Sequence, residues 1–410
     1  CTPRGGAPSQ GILPATQPKV ARIPQIRFAM GMTPRPDRTS LASEVFYFLR
    51  EVASRGKNLP AEIAITGRCR NISRAPSVEP VLNYGRLAAP AEKKRPIGGE
   101  VKLLPLKRRF PENFERFNLI YLVSSALPPH AELLVREAKR RGIKLVWNQN
   151  GVGYPGWCGN FYPWFNRRMA WIRRQADFIF DQSEFSRISA ERYLGAVSIP
   201  SETLFNPVDL QVFTHARNPP DDAEWRILAA GTSHALYRTK LAIDTLRALL
   251  RRGRKARLVI AGEFRWKNSA AEVERELEGV AGQVEILPPF SQSEAPEIYR
   301  GAHLLLHTKY KDPCPTVPIE AMACGLPVVG TRSGGMPELV PGNCGVLAPV
   351  PESWIQDHAA NPEALADGVE SVMAWRHEMS VAARRHAVVA FDLNKWMNRH
   401  ERVFQKLLTS

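Results

Sequence analysis

Residues 312–338 read DPCPTVPIEAMACGLPVVGTRSGGMPE, and this stretch decides the fold. Asp312, Pro313, Cys314 and Pro315 each sit at or before a proline, so the backbone arrives extended or turning rather than helical. A helix is expected from about Thr316. Pro318 is tolerated because it falls in the first turn, where its missing N–H has no intrahelical acceptor, and Gly325 stops the run. Residues 326–331 are expected as the next strand. A helix that starts from a turn after a strand points free N–H groups and the positive end of its dipole outward, here from Thr316 and Val317, which suits an anion such as phosphate. Asp312 lies just before that helix and Glu320 one turn inside it, so both carboxylates can border one pocket. Carboxylates accept hydrogen bonds from hydroxyls, which suits a sugar. The plain structural reading is a buried helix preceded by a turn residue.

The wording EAMACGLPVVGT followed by GGMPELV, with two acids eight residues apart, resembles the acid-x7-acid motif of the retaining glycosyltransferases of family four. The resemblance covers about residues 118–405 and is strongest over 226–340. It implies an α/β protein of GT-B fold, two doubly wound Rossmann-like domains facing across a cleft. It also implies that Asp312, where the family generally has Glu, lies by the donor sugar, and that Glu320 binds the ribose of the nucleotide.

At 410 residues, 44% hydrophobic and 23% charged, the chain is long enough for two domains with separate cores. No apolar run reaches the eighteen residues of a membrane span, and the start lacks the charged-then-apolar pattern of a secretory signal, so a cytoplasmic protein is expected. The six cysteines form no C-x-x-C pair and no metal-ligand spacing, and read as reduced thiols. The net charge of +16 is uneven. Residues 1–200 carry 32 Lys and Arg against 15 Asp and Glu, hence +17, and the remainder carries 24 against 25, hence −1. A basic half suggests an anionic surface or substrate, and a solvated basic face is the bland alternative.

Residues 1–24, rich in Gly, Pro, Ser and Gln, read as a disordered tail. IRFAMG is expected as a strand, Thr39 or Ser40 as the cap of a helix over 41–56, and AEIAIT as a second strand. Residues 68–117 carry the KKRP and KRR clusters and read poorly. NLIYLVSS, a helix in PHAELLVREAKRRG and IKLVWNQNG then form a parallel crossover, and polar residues at the end of such a strand face the binding crevice. The resemblance places Asn148 to Asn150 where many relatives have an active-site His beside the donor sugar, which makes Asn150 the catalytic candidate and His130 a substitute. The segment 151–174 interleaves Tyr154, Trp157, Phe161, Tyr162, Trp164, Phe165 and Trp171 with four arginines. Such a segment lines an acceptor cleft, lies at a lipid interface or forms core under a loop. A strand, a helix and the link LFNPVDLQVF lead on, and the link resembles the family's interdomain connection.

The second half opens with RILAAG and the loop GTSHALYRTK before an amphipathic helix. By the resemblance, a basic pair in this loop grips the donor diphosphate, and Arg238 and Lys240 are the matches. Cations are otherwise unfavourable at that end of a helix. Strands LVIAG, VEILPP and HLLLHT follow, and His303 and His307, at the ends of a strand-like run, should not share a metal. FDLNKWMNRHERVFQKLL is expected as a helix that, by the resemblance, crosses back to the first domain.

The expected domains are therefore 25–205 on the acceptor side, 206–390 for the nucleotide sugar, and a returning helix over 391–410. The resemblance implies transfer of a hexose from a nucleotide-diphosphate sugar to a saccharide or lipid-linked acceptor, with retention. The expected site is Asp312 and Asn150 for catalysis and Arg238, Lys240, Thr316, Val317 and Glu320 for the donor, with no metal and no cofactor. An anionic membrane surface is the expected further partner, and nucleic acid is not. Two other classes stay open: a nucleotide-sugar binder that does not turn its ligand over, favoured by the missing His and the shorter Asp312, and a basic nucleic-acid-binding protein, favoured only by the charge.

Overall fold

Two parallel sheets organise the computed structural model, which describes residues 59–88, 102–215 and 220–409. The tail, IRFAMG, the helix expected over 41–56 and the KKRP cluster lie outside the described residues. The first sheet runs β1 (Leu82–Asn83), β2 (Leu119–Val123), β3 (Lys144–Gln149), β4 (Phe178–Asp181) and β5 (Ser201–Thr203), in that spatial order. Every pair in it is parallel. All five residues of β2 are buried, as suits a strand covered on both faces.

The helices of this half are α1 (Leu59–Arg70), α2 (Leu103–Arg109), α3 (Ala131–Arg140), α4 (Pro155–Cys158), α5 (Tyr162–Arg173) and α6 (Glu184–Leu194). AEIAIT, expected as a strand, lies instead inside α1. Pro60 suits a first helical turn, Ala and Glu are good helix formers, and Arg68 and Arg70 stand in the last turn at the negative end of the dipole. β1 and α2 both fall in the stretch that reads poorly from sequence. α6 is capped by Ser183, whose Oγ accepts the Ser186 N–H at 3.0 Å, and ends at Gly195 with φ +92°.

The second sheet comprises β6 (Trp225–Ala230), β7 (Ala256–Ala261), β8 (Val284–Leu287), β9 (Leu304–His307), β10 (Val328–Arg332) and β11 (Gly345–Pro349). Its order is β11-β10-β9-β6-β7-β8, again all parallel. The winding direction therefore reverses between β6 and β9, and in such sheets ligands bind in the crevice at the carboxyl ends of the strands where the order reverses. Its helices are α7 (Leu236–Arg251), α8 (Ser269–Glu276), α9 (Ala295–Arg300), α10 (Thr316–Ala323), α11 (Met336–Leu339), α12 (Pro362–Ala374) and α13 (Arg376–Ala390), followed by α14 (Leu393–Thr409). One face packs Leu228, Leu305 and Val328 against Ile319 and Met322 of α10. The other packs Ile227, Leu258 and Val329 against Leu246 and Leu249 of α7 and Leu365 and Val369 of α12.

The described residues all fall in the unit Pro34–Ser410. The chain passes between the sheets twice, and the two passages run side by side: Val208 N–H donates to Phe391 O at 2.8 Å and Leu393 N–H to Val208 O at 3.2 Å. α14 then lies on the first sheet, where its Trp396, Val403 and Phe404 pack with Leu119, Tyr121 and Phe180. His400, in the same face, shares a 2.9 Å hydrogen bond with the Tyr121 hydroxyl.

Candidate functional site

The reversal between β6 and β9 places three sequence-distant pieces together. β6 is followed by Gly231, with φ +96°, and β7 by Gly262, with φ +136°. A Cβ on Gly262 would lie 2.6 Å from Gly231 O, and one on Gly231 would lie 3.2 Å from Val317 Cγ2. Only glycine lets these loops close on each other and on the first turn of α10. Gly231, Ser233, Arg238, Gly262 and Thr308 line a hollow there.

Arg238 lies in the first turn of α7. Its guanidinium donates one bond, Nη1–H to Thr232 O at 2.8 Å, while Nε is buried with no partner among the described residues. Burial pushes its pKa down, and Tyr237 and Asp312 push it back up. A buried guanidinium donor left unpaired is costly, and an anion would relieve it. The first-turn amides of α10, at Thr316 and Val317, have no intrahelical acceptors either.

Asp312 lies before α10, its Oδ2 2.9 Å from Lys309 Nζ and 3.8 Å from His307 Nε2. Burial pushes its carboxyl up, but Lys309, His307 and Arg238 more than offset this and its pKa lies below the ordinary value. His307 is neutral: burial drives its pKa down to about 3, and its Nε2 has no hydrogen-bond partner among the described residues. Glu320 faces the other way along α10, accepting from the Tyr299 hydroxyl at 2.8 Å and from Gln292 Nε2 at 3.3 Å. Burial lifts its pKa to about 7.

Across from Asp312 stand the carboxyl ends of the first sheet. Asn150 N–H donates to Ser124 Oγ at 2.8 Å, its Nδ2 donates to Ser125 Oγ, and its Oδ1 accepts from Gln182 Nε2 and from Lys102 Nζ at 2.8 Å. Lys102 Nζ also donates to Asn148 Oδ1 at 2.6 Å. The next residue, Gly151, faces Pro313, whose Cγ would be 3.0 Å from a Cβ there. Asn206 Nδ2 closes the network, donating to Gln182 Oε1 at 3.3 Å and to Cys314 O at 2.7 Å.

Of the sequence candidates, Arg238, Thr316, Val317, Asp312 and Asn150 thus converge. Lys240 does not. It stands on the other side of α7, paired with Asp244 at 3.0 Å and Glu276 at 3.1 Å, because positions two apart on a helix point to opposite sides. The cation beside Asp312 is Lys309, and the cation beside Asn150 is Lys102; neither is among the sequence candidates. Lys309, three residues before Asp312, is a signal the sequence offers, whereas Lys102 and Asn150 are 48 residues apart. His130 shares a 2.9 Å hydrogen bond with Gly85 O, away from Asn150. In the aromatic segment Tyr154 is buried and packs edge-on to Trp354, while Trp157, Trp164 and Phe165 are exposed. His303 pairs with Asp222 at 3.2 Å, apart from His307.

Residues 224–374 match the family model described as glycosyl transferases group 1. The chain is 30% identical over 236 residues to D-inositol 3-phosphate glycosyltransferase of Nocardiopsis dassonvillei, covering 52% of each chain. It is 28% identical over 184 residues to the gpi3 component of phosphatidylinositol N-acetylglucosaminyltransferase of Schizosaccharomyces pombe, covering 41% of this chain and 39% of that one. The chain spans about half the length, or less, of these curated relatives. Among solved structures it is similar to Anabaena HepE in complex with UDP, with TM-score 0.58 and 16% identity, covering 75% of this chain and 81% of that one. It is similar too to sucrose-phosphate synthase from Thermosynechococcus elongatus, with TM-score 0.58 and 16% identity, covering 82% and 88%. These likenesses show the GT-B fold.

Proposed function

Since residues 224–374 match the family model of glycosyl transferases group 1 and the chain has the GT-B fold, we propose that it is a member of that family and transfers a hexose from a nucleotide-diphosphate sugar to an acceptor hydroxyl, with retention of anomeric configuration. The observation that carries this reading is the buried Nε of Arg238, without a partner among the described residues, beside the first-turn amides of Thr316 and Val317. That is a place built for a diphosphate, with Glu320 one turn along the helix for the ribose and Asp312 toward the reacting sugar. HepE is described in complex with UDP, which supports a nucleoside diphosphate as the guest here.

The chemistry asks little of a protein base. The bond from the anomeric carbon to the diphosphate oxygen breaks, the acceptor oxygen bonds to that carbon on the same face, and the acceptor proton passes to the departing phosphate. The protein stabilises the charge that gathers on the diphosphate, through Arg238 and the α10 amides, which is the electrostatic work such a step most needs. The same groups support a reaction without a bridging divalent ion. Neutral His307 and ionised Asp312 border the sugar end.

The acceptor is read as a saccharide or a lipid-linked molecule, in surface polysaccharide or glycolipid synthesis. Two relatives are named for inositol 3-phosphate and for phosphatidylinositol, which supports an acceptor of small-polyol or lipid-linked kind. The +17 of residues 1–200 and the exposed Trp157, Trp164 and Phe165 support contact with the anionic inner face of a membrane. No helix among the described residues is long and apolar enough to cross one.

Calorimetry against a panel of nucleotide-diphosphate sugars tests the donor, followed by NMR of the product's anomeric proton. Binding lost in Arg238→Met and a product of retained configuration are expected. Binding without turnover for every acceptor class would leave a nucleotide-sugar binding protein, and no binding at all would end the reading.

A further inference from the structure

Lys102, the residue that leads into α2, is buried, yet among the described residues its ammonium meets only neutral oxygens: Asn148 Oδ1 at 2.6 Å and Asn150 Oδ1 at 2.8 Å. An ammonium has three N–H donors, so one remains beyond these two. Among the described residues no carboxylate is paired with it. Burial drives its pKa down to about 7, with Cys314 nearby pushing weakly the other way, so the described groups leave the charge largely uncompensated.

The two amides are held in place around it. Asn150 turns its Oδ1 inward to Lys102 and Gln182 and its Nδ2 toward the exposed Ser125, so the network runs from Lys102 to the surface of the crevice. On the other side Gln182 and Asn206 tie it to Cys314, two residues after Asp312. Lys102 thus lies buried against Asn148 and Asn150 at the carboxyl end of β3, on the first sheet, whereas Arg238 and α10 belong to the second. A buried cation given only neutral partners is stabilised when an anion reaches it. The donor's diphosphate already has its cation on the other sheet, so the anion left to meet Lys102 belongs to the second substrate.

We propose that Lys102 receives an anionic group of the acceptor, a phosphate or a carboxylate, and that the enzyme glycosylates charged acceptors. This rests on the glycosyl-transfer reading given above, and it adds a substrate-binding residue and a charge to the acceptor. Lys102 also holds Asn150 in its orientation, but that task needs only a donor, whereas an anion site needs the charge.

Full-length protein labelled with carbon-13 at the lysine Cε, saturated with UDP so that the donor site is filled, gives a direct readout. The Lys102 signal is identified by its loss in Lys102→Gln, and its pH titration is followed with no added anion, with inorganic phosphate and with acetate. The expected result is a midpoint that rises by about one unit or more with one of the two anions, and which anion acts distinguishes phosphate from carboxylate acceptors. Lys102→Arg is expected to keep anion binding in calorimetry and Lys102→Gln to lose about tenfold or more in affinity. A Lys102 signal that neither anion moves overturns the proposal. Nucleotide binding to the wild type separates this from the reading beneath it: an unmoved signal in protein that binds UDP, or GDP or ADP used in its place, defeats the acceptor site alone, and protein that binds none of the three defeats both.

Discussion

The carboxylate of Glu338 accepts the main-chain N–H of Phe185 at 2.7 Å, and that of Glu184 beside it at 2.6 Å. A carboxylate at the end of the 312–338 stretch therefore caps the first turn of α6, on the other sheet, where free amides and the helix dipole favour negative charge. The same stretch ties this contact to Asp312. Gly335 N–H donates to Asp312 O at 2.9 Å, and a Cβ on Gly335 would collide with Pro313 O, so only glycine fits. The position of Asp312 is thereby coupled to the docking of one sheet on the other.

Glu338→Gln keeps the shape and removes the charge, and is expected to lower stability by about 1 kcal/mol; Glu338→Ala, which leaves two amides open, by about 2 kcal/mol. Urea unfolding of both variants measures this. Wild-type stability in Glu338→Ala would mean that the contact contributes nothing to holding the sheets together.

A second contact across the sheets is a cation among rings. Lys311 Nζ lies 3.4 Å from the centroid of Trp354, within 6 Å of Tyr154, Phe185 and Tyr310, and pairs with Glu352. Trp354 in turn stacks on Phe185, 5.3 Å between centroids and 6° from parallel. Tyr154 and Phe185 come from the first half of the chain, Tyr310 and Trp354 from the second. The double-mutant cycle of Lys311→Met with Trp354→Leu is expected to give a coupling of about 1–2 kcal/mol in chemical denaturation. Additive effects would reduce the cage to a coincidence of packing.

Glu320 gives a pH signature. Its folded pKa is raised to about 7 by burial, so the native state holds a proton that the unfolded chain has released. The sign follows: Glu320 favours the folded state at acid pH, and that contribution is lost as pH rises from the ordinary carboxylate range through about 7. Ribose hydroxyls donate best to the ionised form, so affinity for a nucleoside diphosphate is expected to rise over the same interval. Calorimetry across that range should show the rise in the wild type and a flat profile in Glu320→Gln. Matching profiles for the two proteins would detach Glu320 from the ribose.

How much of this is legible in the sequence depends on distance along the chain. Gly325, the α10 helix and the β9–α10–β10 unit follow from local rules, since proline, glycine and buried apolar runs act on their own neighbours. AEIAIT misleads for a local reason too: alternating Ile and Ala fit a strand or a helix, and the Pro60 start decides for helix. Lys240 matches a motif only when its helical phase is ignored, and that phase turns it away from Arg238. Glu338 and Lys311 act on partners brought near only by the docking of two sheets, and Lys102 on amides 46 and 48 residues away within the first, and no spacing rule announces such pairs.

The last prediction concerns Asp312 itself. Its carboxylate sits 2.9 Å from Lys309 and 3.8 Å from a His307 that is neutral, so Lys309 is the charge that chiefly counters its burial. If Asp312 meets the reacting sugar and Arg238 with the α10 amides meets the diphosphate, the two tasks separate. Asp312→Asn should then slow turnover by about a hundredfold while UDP affinity stays within about threefold. Lys309→Met should raise the Asp312 pKa, which moves the acid limb of the rate profile to higher pH and leaves the plateau little changed. EDTA should leave the rate intact in all three proteins, since Arg238 and the helix amides carry the diphosphate charge. Initial rates of nucleoside diphosphate release, taken across pH with and without EDTA, cover these cases. An Asp312→Asn protein that folds, binds UDP and turns over at the wild-type rate would move the chemistry away from this acid.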